Sequence, residues 1–178
     1  MSLPAGRYRF GPDNGTLAVS TGRTGAVARA GHDLLLHVTD WEGTLELGAD
    51  SAPSRVEVRA DGGSLKVQEG TGGVQALDDG DKASIEQTID DEVLRRDRIT
   101  FRSTEVAPDG DGLRVAGELT MLGRTAPLTL DVALADGALT AAGVVRQTDF
   151  GLKPYSALFG ALRVADEVRV SLTASWPA

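Results

Sequence analysis

The stretch that decides the fold is Gly117-Glu-Leu-Thr-Met-Leu-Gly-Arg-Thr-Ala-Pro-Leu-Thr-Leu-Asp-Val132. Its apolar residues fall on every second position. Leu119 and Met121 take one face, Glu118 and Thr120 the other; past a Leu-Gly turn, Leu128, Leu130 and Val132 take one face and Thr129 and Asp131 the other. Successive side chains of a strand point to opposite faces, so this alternation predicts two strands, each with one buried and one wet face.

The same period recurs outward along the chain. Turn signals are dense: Asp61-Gly62, Asp79-Gly80, Asp109-Gly110, Asp111-Gly112 and Asp136-Gly137. Asp-Gly tolerates the positive φ that tight hairpins need. Between these signals the pattern predicts strands near 7–10, 15–20, 24–29, 33–39, 42–48, 54–60, 64–68, 98–106, 113–121, 127–134, 138–149 and 166–176. In the last, Val168, Val170, Leu172, Ala174 and Trp176 share a face. One segment breaks the period. From Asp81 to Leu94 the apolar residues are Ile85, Ile89, Val93 and Leu94, a helical stripe that predicts one amphipathic helix near 82–95. Ser84 with Gln87 has the capping-box pattern, and Asp81 is a second cap candidate.

At 178 residues the chain fits one domain, 1–178, with a sizeable core. Many antiparallel strands with one helix predict an all-β protein, a closed barrel or a sandwich. A barrel of about eight strands either fills itself with side chains or holds one small ligand. Only 4% of residues are aromatic, and the inward positions are mainly Val, Leu and Ala, which favours a cavity. The net charge of −8 argues against a nucleic-acid partner. With no cysteine there is no disulfide and no thiolate site. No basic n-region with an apolar h-region opens the sequence and no apolar run approaches the ~20 residues of a membrane span. The expectation is a cytoplasmic protein without a transmembrane segment.

Candidate chemistry is sparse. His32 and His37 are five apart, which places them on opposite faces of a strand, so no metal site is expected. No Gly-x-Ser-x-Gly elbow accompanies them. Gly70-Thr-Gly-Gly73 lacks the Gly-Lys-Ser/Thr of a phosphate loop and reads as a hairpin loop. Asp78-Asp-Gly-Asp81 lacks the distal glutamate of a calcium loop and stands where acidic residues favour a helix dipole. Trp41 and Trp176 read as core or barrel rim. Arg146 and Asp149, polar residues amid an apolar run, read as a structural pair at a barrel mouth, with the polar end of a ligand as the other reading.

Taken in order, these segments resemble the YceI-like family. Gly6-Arg-Tyr-Arg-Phe-Gly-Pro-Asp13, Ala30-Gly-His-Asp-Leu-Leu-Leu-His-Val38, Trp41-Glu-Gly-Thr-Leu-Glu-Leu47, Ile99-Thr-Phe-Arg-Ser103 and the hairpin 117–132 carry the resemblance, with Arg146 through Gly151 and Asp166 through Trp176. The resemblance implies a lipocalin-like antiparallel barrel whose apolar tunnel holds a polyisoprenoid chain, and it implies no catalytic residues. Many relatives carry a leader and act in the periplasm.

The reading is therefore a binding or carrier protein for a polyisoprenoid or similar long-chain amphiphile, with no cofactor and with an apolar small molecule as partner; a homodimer is compatible with it. The residues placed inside by alternation are Phe101, Leu119, Met121, Leu130, Val132, Val170 and Leu172. Two other classes stay open: a small enzyme on a lipid-like substrate with Asp33 or His32 as base, and a structural or interaction domain with a filled core.

Overall fold

The computed structural model describes residues 4–50, 52–157 and 160–177. The strands are β1 (Gly6–Phe10), β2 (Gly15–Ser20), β3 (Arg23–Thr24), β4 (His32–Val38), β5 (Trp41–Leu47), β6 (Pro53–Asp61), β7 (Leu65–Gly72), β8 (Arg98–Asp109), β9 (Gly112–Met121), β10 (Arg124–Ala135), β11 (Ala138–Arg146), β12 (Ser156–Ala157), β13 (Leu162–Val164) and β14 (Glu167–Ser175). One helix, α1 (Asp79–Thr88), runs on into a π turn at Ile89–Val93.

Eleven strands form one antiparallel sheet in the order β1-β5-β6-β8-β9-β10-β11-β14-β2-β4-β7. The two ends of that order belong to the same runs of chain. β4 and β5 pair with β7 and β6, and the ladder is carried through the bend between them by Asp61 N–H to Asp40 O at 3.0 Å and Thr39 N–H to Ser64 O at 3.1 Å. β1 and β2 lie likewise along β5 and β4. Counted as runs, 6–20, 32–47 and 53–72 join β8, β9, β10, β11 and β14 in a ring in which every run pairs with two neighbours. The sheet curls round on itself, as the barrel reading requires.

The deciding hairpin is β9–β10, with Met121 opposite Arg124 and Leu119 opposite Ala126. Its two turn residues, Leu122 (φ 52°) and Gly123 (φ 72°), are both left-handed, the geometry that matches the twist of the flanking strands. Val115, Leu119, Met121, Ala126, Leu128 and Val132 are buried, and Glu118, Thr129 and Asp131 are exposed.

Several local expectations differ from the structure. The strand expected at 24–29 is only Arg23–Thr24, followed by a 3-10 turn at Ala28–Ala30. At Gly25 (φ 105°) a Cβ would lie 2.2 Å from the Ala161 carbonyl oxygen, and Val27 N–H bonds to that oxygen, so the chain docks on β13 instead of extending. The strand expected to reach residue 149 stops at Arg146. There Gln147 N–H turns to Asp166 O, and the Asp166 carboxylate takes both the N–H (2.9 Å) and the hydroxyl (2.7 Å) of Thr148, forming a 3-10 turn at Gln147–Phe150. The helix begins earlier than expected. Asp78 accepts from Asp81 N–H at 2.8 Å and Asp81 from Asp78 N–H at 3.1 Å, a reciprocal cap that leaves Ser84 in the second turn. Gly70, Thr71 and Gly72 are not a loop; they pair with Leu34, Asp33 and His32 in the β4–β7 ladder.

Candidate functional site: an apolar cavity in the barrel

The inward faces of the sheet do not meet. They surround a cavity of about 520 Å3 whose lining is almost entirely apolar. The seven residues singled out from the sequence all stand in its wall: Phe101 on β8, Leu119 and Met121 on β9, Leu130 and Val132 on β10, and Val170 and Leu172 on β14. Alternation accounts for this, since each is the inward member of its strand. Leu17, Val19, Leu34, Leu36 and Val38 complete the wall on β2 and β4. These lie on strands the same alternation identifies, and their period was the signal available.

The helix closes one side. β7 pairs with β4 along one edge, and α1 lies against its other edge. Glu86 accepts the N–H of Val67 at 2.9 Å and pairs with Lys66 at 3.1 Å, while Lys82 Nζ donates to Gln68 O at 3.3 Å. An open strand edge presents unpaired backbone groups, and here helix side chains take two of them. The other helix face brings Ile85, Ile89, Val93 and Leu94 to the cavity. The π turn makes this possible: Leu94 N–H bonds to Ile89 O at 2.8 Å, and the added residue in that turn sets Leu94 beside Ile89.

The far end is closed by rings. Phe10 lines the cavity, and behind it Trp176 stands edge-on to Phe10 (5.5 Å, 63°) and to Tyr8 (5.3 Å, 80°). Trp41, 5% exposed, is buried against Gly15 and Gly43 and lies outside the lining. The opposite end reaches solvent at Tyr155, which lines the cavity and is 48% exposed. Near it Gln147 is the buried polar side chain among the described residues; its Nε2 donates to Ala165 O at 2.9 Å.

The other candidates fall outside this cavity. Asp33 sits 3.7 Å from Arg23, and His32 Nε2 is 2.8 Å from Gln75 O; neither lines the cavity. His37 pairs in register with Lys66 and Ala18, on the face opposite to Leu36 and Val38. Among the described residues no group of three or more His, Cys, Asp or Glu is placed to hold a metal ion. Arg146 pairs with Glu167 (3.2 Å), its register partner on β14, and not with Asp149; the hydrogen bond to Glu167 holds the guanidinium above its ordinary value. Asp166 is held below the usual carboxylate range, chiefly by the Thr148 hydroxyl.

Residues 12–176 match the family model of the YceI-like domain. The chain belongs to the YceI-like family. Solved structures share its fold. The crystal structure of Burkholderia cenocepacia BcnA superposes with a TM-score of 0.60 at 18% identity, over 90% of this chain and 96% of that one. The Campylobacter jejuni YceI protein gives 0.59 at 11% identity, over 80% and 84%. No curated protein matches the sequence at a significant level. Among the described residues no helix is long and apolar enough to cross a membrane.

Proposed function

We propose that this YceI-like protein binds and carries a long-chain amphiphile of the polyisoprenoid class, with its tail in the barrel cavity and its polar head toward Tyr155 and Gln147. The observation that carries this reading is the cavity itself: about 520 Å3 of apolar-walled space inside a closed sheet. Natural interiors are packed with few voids larger than a water molecule, so a space of this size is one the sequence maintains for an occupant. Apolar walls offer no directed hydrogen bonds, and affinity has to come from burial. Each buried methylene contributes ~0.8 kcal/mol. About ten of them offset the ~4–15 kcal/mol cost of association over its lower range, so short amphiphiles bind poorly and long ones bind well. Neither Asp33 nor His32, the bases the enzymatic reading named, lines this space.

Mass spectrometry of an organic extract of the purified protein, paired with titration of a fluorescent long-chain lipid, tests the reading. The expected result is a co-purified amphiphile and saturable uptake of the probe at one per chain. An empty extract together with no uptake would sink it.

A further inference from the structure

We infer that the cavity limits the tail of its ligand to about 20 carbon atoms, because an apolar cavity of about 150 Å3 takes one benzene ring and this one measures about 520 Å3. The inference rests on the binding reading above and adds a length limit to it: the preferred ligands are amphiphiles with a tail of about four isoprene units, not the longest polyprenyl chains.

The wall shows why the space does not extend further. At the closed end Phe10 is backed by Trp176 and Tyr8 in edge-to-face contact. Two glycines, Gly117 and Gly143, stand at inward positions and could have widened the interior. Their space is already taken. A Cβ at Gly117 would lie 2.6 Å from Phe101 Cζ, and one at Gly143 2.8 Å from Leu130 Cδ2. The sides are hydrogen-bonded sheet and the helix. The Tyr155 end reaches solvent, and carbons of a surplus tail left there stay in water and add nothing to affinity.

The test is a competition. Delipidated protein is offered equal amounts of geranylgeraniol and octaprenol, twenty and forty carbons long, from the same detergent micelles, and the complexes are counted by native mass spectrometry. The expected result is a tenfold or greater excess of the geranylgeraniol complex, since the longer tail gives up its micelle for a site that covers half of it. Equal amounts, or an excess of octaprenol, would overturn the length limit while leaving the binding reading intact. Capture of neither prenol would overturn the reading on which the limit rests. A second variant checks the volume directly. Ala141 lines the cavity between its register partners Val132 and Leu172. With its melting temperature measured alongside, Ala141→Phe is expected to lose at least tenfold in affinity for geranylgeraniol while keeping farnesol, of fifteen carbons; unchanged binding of both by the folded variant would overturn the limit.

Discussion

The carboxylate of Glu86 accepts the backbone N–H of Val67 at 2.9 Å, tying the helix to the edge of the barrel. A backbone donor satisfied by a charged acceptor is worth about 1.5–3 kcal/mol. Glu86→Ala is therefore expected to lower stability by about 1–3 kcal/mol and to speed release of a bound lipid probe several-fold, because Ile85 and Ile89 leave the cavity wall when the helix lifts. Stopped-flow dilution of the loaded protein measures the release. Unchanged release with lowered stability would show that the helix is not the path of exit.

Met121 and Thr120 are neighbours on opposite faces of β9. Met121 is buried and lines the cavity, whereas the Thr120 hydroxyl lies 2.8 Å from that of Thr125 across the outer surface of the hairpin. Met121→Asp places a charge where the tail should lie and is expected to weaken lipid binding tenfold or more. Thr120→Asp is expected to change stability by no more than about 0.5 kcal/mol and to leave binding as it was. Fluorescent-lipid titration with melting temperatures for both variants makes the comparison. Greater loss from Thr120→Asp, with both variants folded, would contradict the strand register.

Gly117 is held by what faces it. A Cβ there would lie 2.4 Å from the Arg102 carbonyl oxygen and 2.6 Å from Phe101 Cζ. Gly117→Ala is expected to cost about 1–3 kcal/mol through overpacking, and to push the Phe101 ring into the cavity. Chemical denaturation gives the first quantity. A variant as stable as the parent would mean that β8 and β9 yield more easily than a hydrogen-bonded ladder should.

The Asp166 carboxylate, bonded to the hydroxyl and N–H of Thr148, titrates below its ordinary range. The folded state therefore favours the ionised form. Its contribution is fully present above the ordinary value near ~4 and is lost as the pH falls from there through the lowered folded value. The melting temperature of Asp166→Asn is expected to fall less steeply than that of the parent over that acidic window. Parallel curves would show that the turn at Gln147–Phe150 does not depend on this charge.

Alternation made the barrel wall legible from sequence. The inward members of β8, β9, β10 and β14 follow from a period that burial imposes on each strand separately, and so the positions of Phe101, Leu119, Met121, Leu130, Val132, Val170 and Leu172 could be read without knowing which strands pair. The ring could not be read that way. The bends at 39–40 and 61–64 leave the inside–outside pattern of 32–47 and 53–72 in place, and only the pairing partners reveal that these runs span both ends of the sheet order. β3, β12 and β13 are two or three residues long, too short to show a period. The Ser84–Gln87 pattern points to a later helix start than the structure has, because Asp78 and Asp81 do by carboxylates alone what a Ser–Gln pair does more commonly. Tyr155 and Gln147 are set at the open end by turns, where no periodicity applies.

The placement of the first long run has a consequence for how the molecule is made. Residues 6–20 lie between 32–47 and β14, so that Leu17 is bonded in register to Leu172. Contacts between residues so distant in the chain slow folding, because loop-closure entropy must be met before they form. During synthesis β2 leaves the ribosome long before β14, its second neighbour. Until then β2 presents an unpaired edge and an apolar face together, the condition under which strands associate with other chains. The stretch of synthesis between β2 and β14 is thus a period of exposure to aggregation, and slow passage through the intervening chain would prolong it.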